Sequence, residues 1–536
     1  MSTFGSFSTV KLGIYAAQKG LDVTGNNITN INTEGYTRQR LQQTSLVTSA
    51  ADRYYSIYKT RVGQGVVTTG VTQLREPGLD LAYRNSTSDL GAADAKLAGL
   101  EDLAQILDEV GKGDLEQDDG VILNQLNDLR DLINEAITNG IEEYDGLIRT
   151  SAQALCTLFN STANSLTELQ GRYEERLTQQ VDTINSILTN LRDLNVSIRN
   201  ADIRGDNALE LRDERNRLLD ELSQYVKIDV QYTMEDVGAG FMVEKMTVSL
   251  ATGNKDALVD GKYAGQMLVD NANGNYDINL YALRDADGAK QNNGDIDPKT
   301  LGDTDLYGAL QSTREILTES GEYTTQDIID NVDANGNVKR GIPYYQKALD
   351  SLANEFATQM NELNQPPNAT GTGNGVLFSM GSNNNDTMQI TAANISVSKD
   401  WAEGTVSVQA KANDTDPSGD TSNLVKFLAI FDDVQEFDPK DVAPDAVGAN
   451  YEGTFEDMLL RIQSVLAEDQ MATSAVLTNY TVTNNEIYMS RDSVMGVDLN
   501  DEATSLMVYQ KAYTAACRLM TVLEEALDSL INGTIV

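Results

Sequence analysis

The sequence predicts a mainly α-helical protein with β insertions, in which helices at the two chain ends pack against each other. Three patterns lead to this prediction: a heptad repeat at each end, a long run of helix-forming residues after position 79, and a change to alternating hydrophobicity at Tyr225. With 536 residues the chain exceeds the size of a single hydrophobic core, so we expect two to four domains.

The first helix is predicted from an apolar repeat over roughly the first thirty residues. Residues three and four positions apart share one face of a helix, and a narrow apolar stripe suits a helix that meets one or two others. The stripe is formed by Phe7, Val10, Ile14, Ala17, Leu21, Ile28 and Ile31.

The last helix is predicted from the same kind of repeat near the C-terminus, formed by Leu499, Leu506, Tyr509, Tyr513, Met520, Leu523, Leu527 and Leu530. The simplest partner for each terminal helix is the other, so residues 1–45 and 497–536 are predicted to form a coiled-coil assembly domain. Because a helix of this kind is marginal in isolation, we expect both ends to be disordered in the free monomer and to fold on assembly.

The interior is predicted to contain a helical part and a β part. Residues 79–225 indicate a helical hairpin or bundle, after which Val226–Tyr232 alternate as a strand does. The helical domain is assigned to 46–225, 305–365 and 420–496, with helices from 422 to the end. The outer β-rich domain or domains are assigned to 226–304 and 366–419, with short strands near 388–390 and 405–408.

Composition excludes several classes of function. The chain has 81 acidic and 40 basic residues, a formal charge of −41 that would repel phosphate backbones and anionic lipid surfaces. No apolar run is long enough for a membrane span, so neither nucleic acid binding nor membrane insertion is expected. Histidine is absent, which excludes Ser-His-Asp triads and imidazole bases, and no catalytic residue is predicted.

Metal and cofactor sites are not expected either. Cys156 and Cys517 form no CxxC pair and are interpreted as small buried or half-buried hydrophobes, with a reactive thiol as the alternative. The fragments DADG (285–288) and DANG (333–336) lack the ligand spacing of a calcium loop and are interpreted as solvated turns. The Asp213-Glu214 pair is interpreted as part of a solvated helix face.

The most informative segment is GNNITNINTEGYTRQR, residues 25–40, directly after the first heptad repeat. Asparagine side chains can satisfy the free backbone groups at a helix end, and Gly35 can take a positive φ. On these residues alone the segment is a helix that ends in a capped turn, with Tyr36 as a lid.

This segment resembles the signature of the flagellar rod, hook and hook-associated protein family, and its continuation through Arg38 and Gln39 resembles the hook-associated branch. The signature residues are Asn26, Asn27, Asn30, Asn32, Thr33, Gly35, Tyr36, Arg38 and Gln39. Glu34 stands where the family commonly has a proline. The resemblance continues, in the family's order, through residues 65–97, 211–230 and 497–531.

The resemblance implies a structural, non-enzymatic subunit that joins hook to filament, with a coiled-coil-like D0 domain, a helical-bundle D1 domain and small outer β domains. It implies an extracellular location in the bacterial flagellum after export without a cleaved signal peptide. The implied partners are further copies in a ring or helical layer, the hook protein, the next hook-associated protein, the export apparatus and an export chaperone. Two alternatives remain: a rod or hook subunit, and a secreted enzyme or adhesin carried on a flagellar scaffold with 226–304 as its active part.

Overall fold

The computed structural model describes residues 3–46, 63–107, 120–238, 240, 242–272, 274–292, 297–366, 373–382, 385–413 and 415–533. Parts of the predicted domains, among them 47–62, 108–119 and 367–372, lie outside the described residues. The predicted fold class is confirmed, since helices at both ends flank a helical body into which strands are inserted.

The chain begins with helix α1, Thr3–Thr29, followed by the antiparallel hairpin of β1, Gln39–Ser45, and β2, Val66–Gln73. The helical body then opens with α2, Pro77–Leu107, α3, Val121–Asn139, α4, Ile141–Arg204, and α5, Leu209–Tyr225. These helices confirm the bundle predicted over 79–225.

Helix α4 has 64 residues, which corresponds to a length of roughly 95 Å. It ends at Gly205, whose φ of 82° is left-handed and lets its N–H bond back to the Ala201 and Asp202 carbonyls. Asparagine side chains attach it to neighbouring loops: Asn160 donates to the Ala392 carbonyl at 2.8 Å and Asn185 to the Met267 carbonyl at 2.8 Å. The helix therefore spans most of the body and is held at separate points.

The predicted β domain over 226–304 is a six-stranded antiparallel sheet in the simple order β3 to β8. Its strands are β3, Ile228–Asp236, β4, Met242–Leu250, β5, Ala257–Asp260, β6, Tyr263–Asp270, β7, Asp277–Arg284, and β8, Lys299–Leu301. Met246, Val248 and Leu250 of β4 are buried, as its alternation predicts, and Val243 is buried out of phase with them. One face of the sheet packs on α4, since β6 and β4 both contact this helix.

The second half of the chain returns to helices with small strand pairs between them. The helices are α6, Ala309–Thr318, α7, Gln326–Asn331, α8, Ile342–Leu363, α9, Lys399–Ala402, α10, Ser422–Ala429, α11, Phe455–Met495, and α12, Leu499–Asn532. The strands pair as β9, Phe378–Met380, with β10, Ile395–Val397, and as β11, Gln435–Phe437, with β12, Tyr451–Gly453. Short 3-10 turns occupy Gly321–Tyr323 and Pro439–Asp441.

Two predictions for this half are wrong. Residues 388–390 and 405–408 form turns and extended segments without ladder partners, because their alternation is too short to outweigh the local turn chemistry of Asn and Gly. The stretch after 422 is not continuously helical, since β11 and β12 lie between α10 and α11.

A continuous apolar core joins the helical body to the inner face of the sheet. Its largest fully buried side chains include Trp401, Tyr345, Phe159, Phe356 and Phe378. Helix α11 lies along α2 at one side of this core. In the described part of the chain, no helix has the length and hydrophobicity required to cross a bilayer.

Candidate assembly site at the base of the terminal helices

The two terminal helices pack against each other, as the heptad repeats predict. They run in opposite directions, since Gly20 in α1 meets Tyr509 in α12, while Asn27 and Glu502 line the same cleft further along. A Cβ atom at Gly20 would lie 2.5 Å from the Tyr509 ring, so this approach requires glycine.

The predicted stripe of α1 is shifted in the structure toward smaller residues. Val10, Ala17 and Thr24 are buried together with Ala16, Gly20 and Asn27. Phe7, Ile14, Leu21 and Ile28 are half-buried at its flank. Ile31 is exposed because the helix ends at Thr29, before the apolar repeat does.

The C-terminal helix is much less buried. Leu506, Tyr509, Met520, Leu523 and Leu527 are half-buried, whereas Leu499, Tyr513 and Leu530 are exposed. Among the described residues of α12, Glu502 alone is fully buried. These three members of the repeat keep part of their apolar surface exposed, and their role in an assembly interface stays a prediction.

Asn27 organises the turn that follows α1. Its side chain is 1% exposed; Nδ2 donates to the Gln39 carbonyl and Oδ1 accepts from the Gln39 N–H, both at 3.0 Å. The Tyr36 hydroxyl donates to the same Oδ1 at 2.8 Å. One asparagine thus joins the end of α1 to the first residue of β1 and seats Tyr36 as the predicted lid.

The other signature residues shape the turn itself. Asn30 Nδ2 donates to the Asn26 backbone oxygen at 3.0 Å and to its side-chain oxygen at 2.9 Å, and Thr33 Oγ1 donates to Asn30 Oδ1 at 3.2 Å. Gly35 has a φ of 78°, as predicted. Asn32 is exposed, as is Glu34, where the family commonly has proline. The turn therefore forms in this chain without that proline.

The turn is fixed to helix α5 by a buried carboxylate. The Thr37 N–H donates to Asp213 Oδ2 at 3.2 Å, and Gln39 Nε2 donates to Glu210 at 3.2 Å. Burial raises the pKa of the Asp213 carboxyl above its ordinary value, although the bond from Thr37 acts in the opposite direction. Glu214 is exposed, but the predicted solvated position of Asp213 is wrong, because this carboxylate receives the backbone of the turn.

The turn is also fixed to the corner between α11 and α12. The Arg38 N–H donates to the Met495 carbonyl at 2.8 Å, and Arg38 Nε donates to Glu502 at 2.7 Å. Asp498 caps α12 by accepting from the Asn500 N–H at 2.7 Å. The same few residues therefore direct both terminal helices away from the body.

A buried ion network lies next to this turn. Arg491 of α11 pairs with Asp80 of α2 at 2.9 Å and with Asp220 of α5 at 2.5 Å, and its guanidinium stacks over the Tyr83 ring at 4.6 Å. Arg84 bonds to the other Asp220 oxygen at 2.8 Å. Burial and the Asp220 charge raise the pKa of the Tyr83 hydroxyl above its ordinary value. Two carboxylates shared among several arginines hold three helices in one arrangement.

We call this region the joint: the turn 30–38 with the contacts that it and the ion network make to α2, α5 and the α11–α12 corner. The four segments that carry the family resemblance all meet here, although they are separated by up to several hundred positions. A cleft of about 360 Å³ opens between the joint and the terminal helices, lined by residues that include Thr24, Arg40 and Ser505. The joint therefore has a structural role, since its hydrogen bonds and ion pairs set the direction of the helices.

Among the described residues, an acidic cluster lies away from the joint, where oxygens of Asp303, Glu319 and Asp333 are within 4.8 Å of one another. Arg314 pairs with Asp303 at 2.6 Å and Lys339 with Asp333 at 2.7 Å. Asp333 belongs to the DANG segment, so the solvated interpretation of this residue is wrong; it ties the turn to the body. Burial raises the pKa of Glu319 to about 8.

The other sites considered from the sequence are structural. Asp285 of the DADG segment caps its own exposed turn by accepting from the Ala289 N–H at 2.9 Å. Cys156 is buried, and burial raises the pKa of its thiol to about 12, as expected for an inert core residue. Cys517 is half-buried on α12.

Comparisons with known proteins agree with the resemblance. Residues 115–378 match the family model described as the helical domain of the flagellar hook-associated protein FlgK, and residues 13–37 match that of flagella basal body rod proteins. The shorter match covers the C-terminal part of α1 and all but the last residue of the turn 30–38.

The chain is also similar to two individual proteins. The flagellar hook-associated protein 1 of Bacillus subtilis (strain 168) is 27% identical over 555 aligned residues, which cover 99% of this chain and 98% of the relative. The solved structure of the flagellar hook junction protein FlgK from Burkholderia pseudomallei aligns with a TM-score of 0.40 and 20% identity. That alignment covers 56% of this chain and 47% of the solved chain, about half of its length.

Proposed function

The chain belongs to the family of flagellar hook-associated proteins, and from this membership we propose that it is a structural subunit joining hook to filament, assembled through its paired terminal helices. The main structural support for this assembly mechanism is the joint. The four segments that resemble the family contact one another where both terminal helices leave the body. The residues typical of the family therefore set the orientation of these helices.

The burial of the terminal helices supports assembly through them. Glu502 is the one fully buried residue of the described α12, while Leu499, Tyr513 and Leu530 expose apolar surface. Most helical stability in proteins comes from packing an apolar face, so this helix gains stability when neighbouring subunits cover it. A head-to-tail contact repeated by rotation and rise builds a ring or tube. Both ends then fold as they assemble.

The proposed division of the chain follows from this role. Residues 1–45 and 497–536 are the assembly domain, 46–225 with 305–365 and 420–496 the helical domain, and 226–304 with 366–419 the outer β-rich part. The subunit contacts further copies, the hook protein on one side and the next hook-associated protein on the other. It reaches the flagellum through the export apparatus with the aid of a chaperone.

The two alternatives receive less support. A rod or hook subunit would share the match over 13–37, but the match over 115–378 and the near-complete alignment with a hook-associated relative favour the hook-associated branch. An enzyme or adhesin on a flagellar scaffold would use 226–304 as its active part. In this chain that segment packs its sheet on α4 and shares the core of the helical body.

Electron microscopy of purified hooks without filaments, mixed with the full chain, tests the proposal. The full chain is expected to bind the distal hook end and to make it competent for filament growth. Gly20→Val is expected to abolish binding while the body stays folded, because the new side chain would meet the Tyr509 ring. A matched control is Gly146→Val, since a Cβ at Gly146 meets nothing within 4 Å.

Each other outcome points elsewhere. Long tubes formed by the full chain alone would indicate a hook or filament subunit. Absence of binding to matched hooks would favour an enzyme or adhesin on a flagellar scaffold. Binding of the full chain to a glycan or a cell surface would then establish that alternative. Equal binding by Gly20→Val and wild type would contradict assembly through the terminal helix pair.

A further inference from the structure

Helix α11 carries an exposed stripe on the face opposite α2. We define the outer stripe as Met471, Ala475, Thr478, Val482, Asn485 and Met489, which follow one another at intervals of three and four residues. Met471, Val482 and Met489 are 69%, 54% and 67% exposed. The stripe has the repeat of a helix that meets another helix, yet the described chain places none against it.

The contacts of α11 with α2 show that the stripe points away from the body. Gln470 donates to the Leu100 carbonyl at 3.0 Å, Thr87 donates to Asn484 at 3.3 Å, and the Tyr488 ring lies 6.1 Å from that of Tyr83. Met471 and Met489 each lie two positions from a buried residue of this helix, Thr473 and Arg491, and Val482 lies two positions from Asn484. Two positions correspond to a turn of about 200° around the helix. The outer stripe is therefore the face furthest from the core.

The surroundings of the stripe are unusually poor in charge for this chain. No Asp, Glu, Lys or Arg occurs from Gln470 to Asn485, although charged residues make up 23% of the sequence. Of the next charged residues, Glu486, Arg491 and Asp492, the arginine is buried. An exposed helix face without charged residues is expected where another surface covers it, because a face that stays in water is usually solvated through charged side chains.

We propose that the outer stripe is a contact surface for a second copy of this chain, in addition to the terminal helices; the proposal rests on the self-assembly in the proposed function. Two copies that each carry −41 repel each other, so a close contact is stable only where both surfaces have little charge and some apolar area. The outer stripe meets both conditions.

A second surface without acidic residues lies on the terminal helix that follows, which supports a copy of the same chain as the occupant. Helix α12 starts four residues after α11 ends, and from Ala503 to Leu523 it contains no Asp or Glu, with Lys511 and Arg518 as its charged residues. Val508, Leu519 and Val522 are exposed along it. A neighbouring subunit that covers α12 can also cover the outer stripe, with Glu486, Asp492, Asp498 and Asp501 as the exposed acidic residues between the two surfaces.

Substitutions that place a charge in the stripe test this proposal. Val482→Asp and Met489→Lys add opposite charges at exposed positions, so each variant is expected to keep the wild-type Tm. Met388→Asp is the matched control, since Met388 is 85% exposed and lies away from α11. Assembly of the full chain is measured by the occupancy of hook ends in electron micrographs and by sedimentation velocity over a range of protein and salt concentrations.

Both stripe variants are expected to weaken association at least tenfold, because either charge would be buried without a partner, whereas Met388→Asp should match the wild type. Weakening by Val482→Asp with strengthening by Met489→Lys would reveal a net-charge effect and overturn the proposal. Association unchanged in all three variants would overturn it while leaving the proposed function intact. A wild-type chain that stays monomeric and binds no hook end would overturn both.

Discussion

Replacing Asn27 by alanine tests the principal structural role assigned to the joint. The change removes the acceptor for the Gln39 N–H and the Tyr36 hydroxyl and the donor to the Gln39 carbonyl. An unsatisfied buried polar group costs about 1–3 kcal/mol. Gln39 is buried, so its two backbone groups set a cost of roughly 2–6 kcal/mol. Water entering the adjacent cleft offsets part of it, and we expect about 3 kcal/mol.

This loss should open the joint before it unfolds the body, because the bonds of Asn27 lie between α1 and β1. Native-state hydrogen exchange of the Gln39 amide measures the local free energy of opening. Limited trypsin digestion measures it a second time, since Arg38 and the exposed Arg40 flank the Gln39 peptide group. Faster exchange and cleavage are expected at this place, with little change in the exchange of α4.

Asn30→Ala is the matched control. Asn30 is half-buried and bonds within the turn, to Asn26 and Thr33, without reaching β1. Its loss is expected to cost below about 1 kcal/mol. Equal exchange at Gln39 in the two variants would show that Asn27 does not hold the end of α1 to the hairpin, and the reasoning on the joint would fail.

Three further predictions concern charge. Because burial raises the pKa of Glu319 to about 8, its protonated form stabilises the fold; this contribution is complete below pH 4.5 and is lost as pH rises toward 8. Between pH 5.5 and 8.5 the urea midpoint of Glu319→Gln should therefore fall less than that of the wild type. Parallel decreases in the two proteins would contradict this. Arg491→Met should lower the free energy of unfolding by about 2–3 kcal/mol, which is less than the loss for a fully broken buried pair because Asp80 and Asp220 each keep another arginine partner. The control, Arg130→Met, breaks an exposed pair and should cost below about 1 kcal/mol. Equal urea midpoints for the two variants would refute the stabilising role of the ion network. Association of the full chain should strengthen with ionic strength as the repulsion is screened, and association rates that stay flat from low salt to sea-water salt would rule this out.

The sequence predicted the elements of this fold better than their contacts. The heptad repeats located both terminal helices, and the change of period at Tyr225 located the sheet, because a helix and a strand impose different spacings on apolar residues. The repeat also continued through Ile31, beyond the true end of α1, since periodicity alone does not register that an asparagine-rich turn has begun. Gly20 was missed because a residue without a side chain contributes no apolar signal.

The contacts of the joint could not be derived from local patterns. Asp213 looked like one carboxylate among many, and its partner, the Thr37 N–H, lies 176 positions away in the chain. Arg491 and Asp220 are 271 positions apart. In a chain with 81 acidic residues the sequence offers no means of telling a buried carboxylate from a solvated one. The family resemblance did mark the four segments that form the joint, but it did not show that they meet.

The long helix α4 has a mechanical consequence for a structural subunit that would transmit load between hook and filament. Arg212 of α5 donates to both carboxylate oxygens of Asp202, near the C-terminal end of α4, at 2.9 and 3.0 Å. Helix α5 also carries the carboxylates that bind the turn of the joint. Further along, Asn185 and Asn160 pin α4 to the sheet and to the loop before β10. A rod clamped at one end and pinned along its length resists bending and twisting. Torque that enters through the terminal helices would therefore turn the whole body as one piece, with little of it stored as elastic deformation within the subunit.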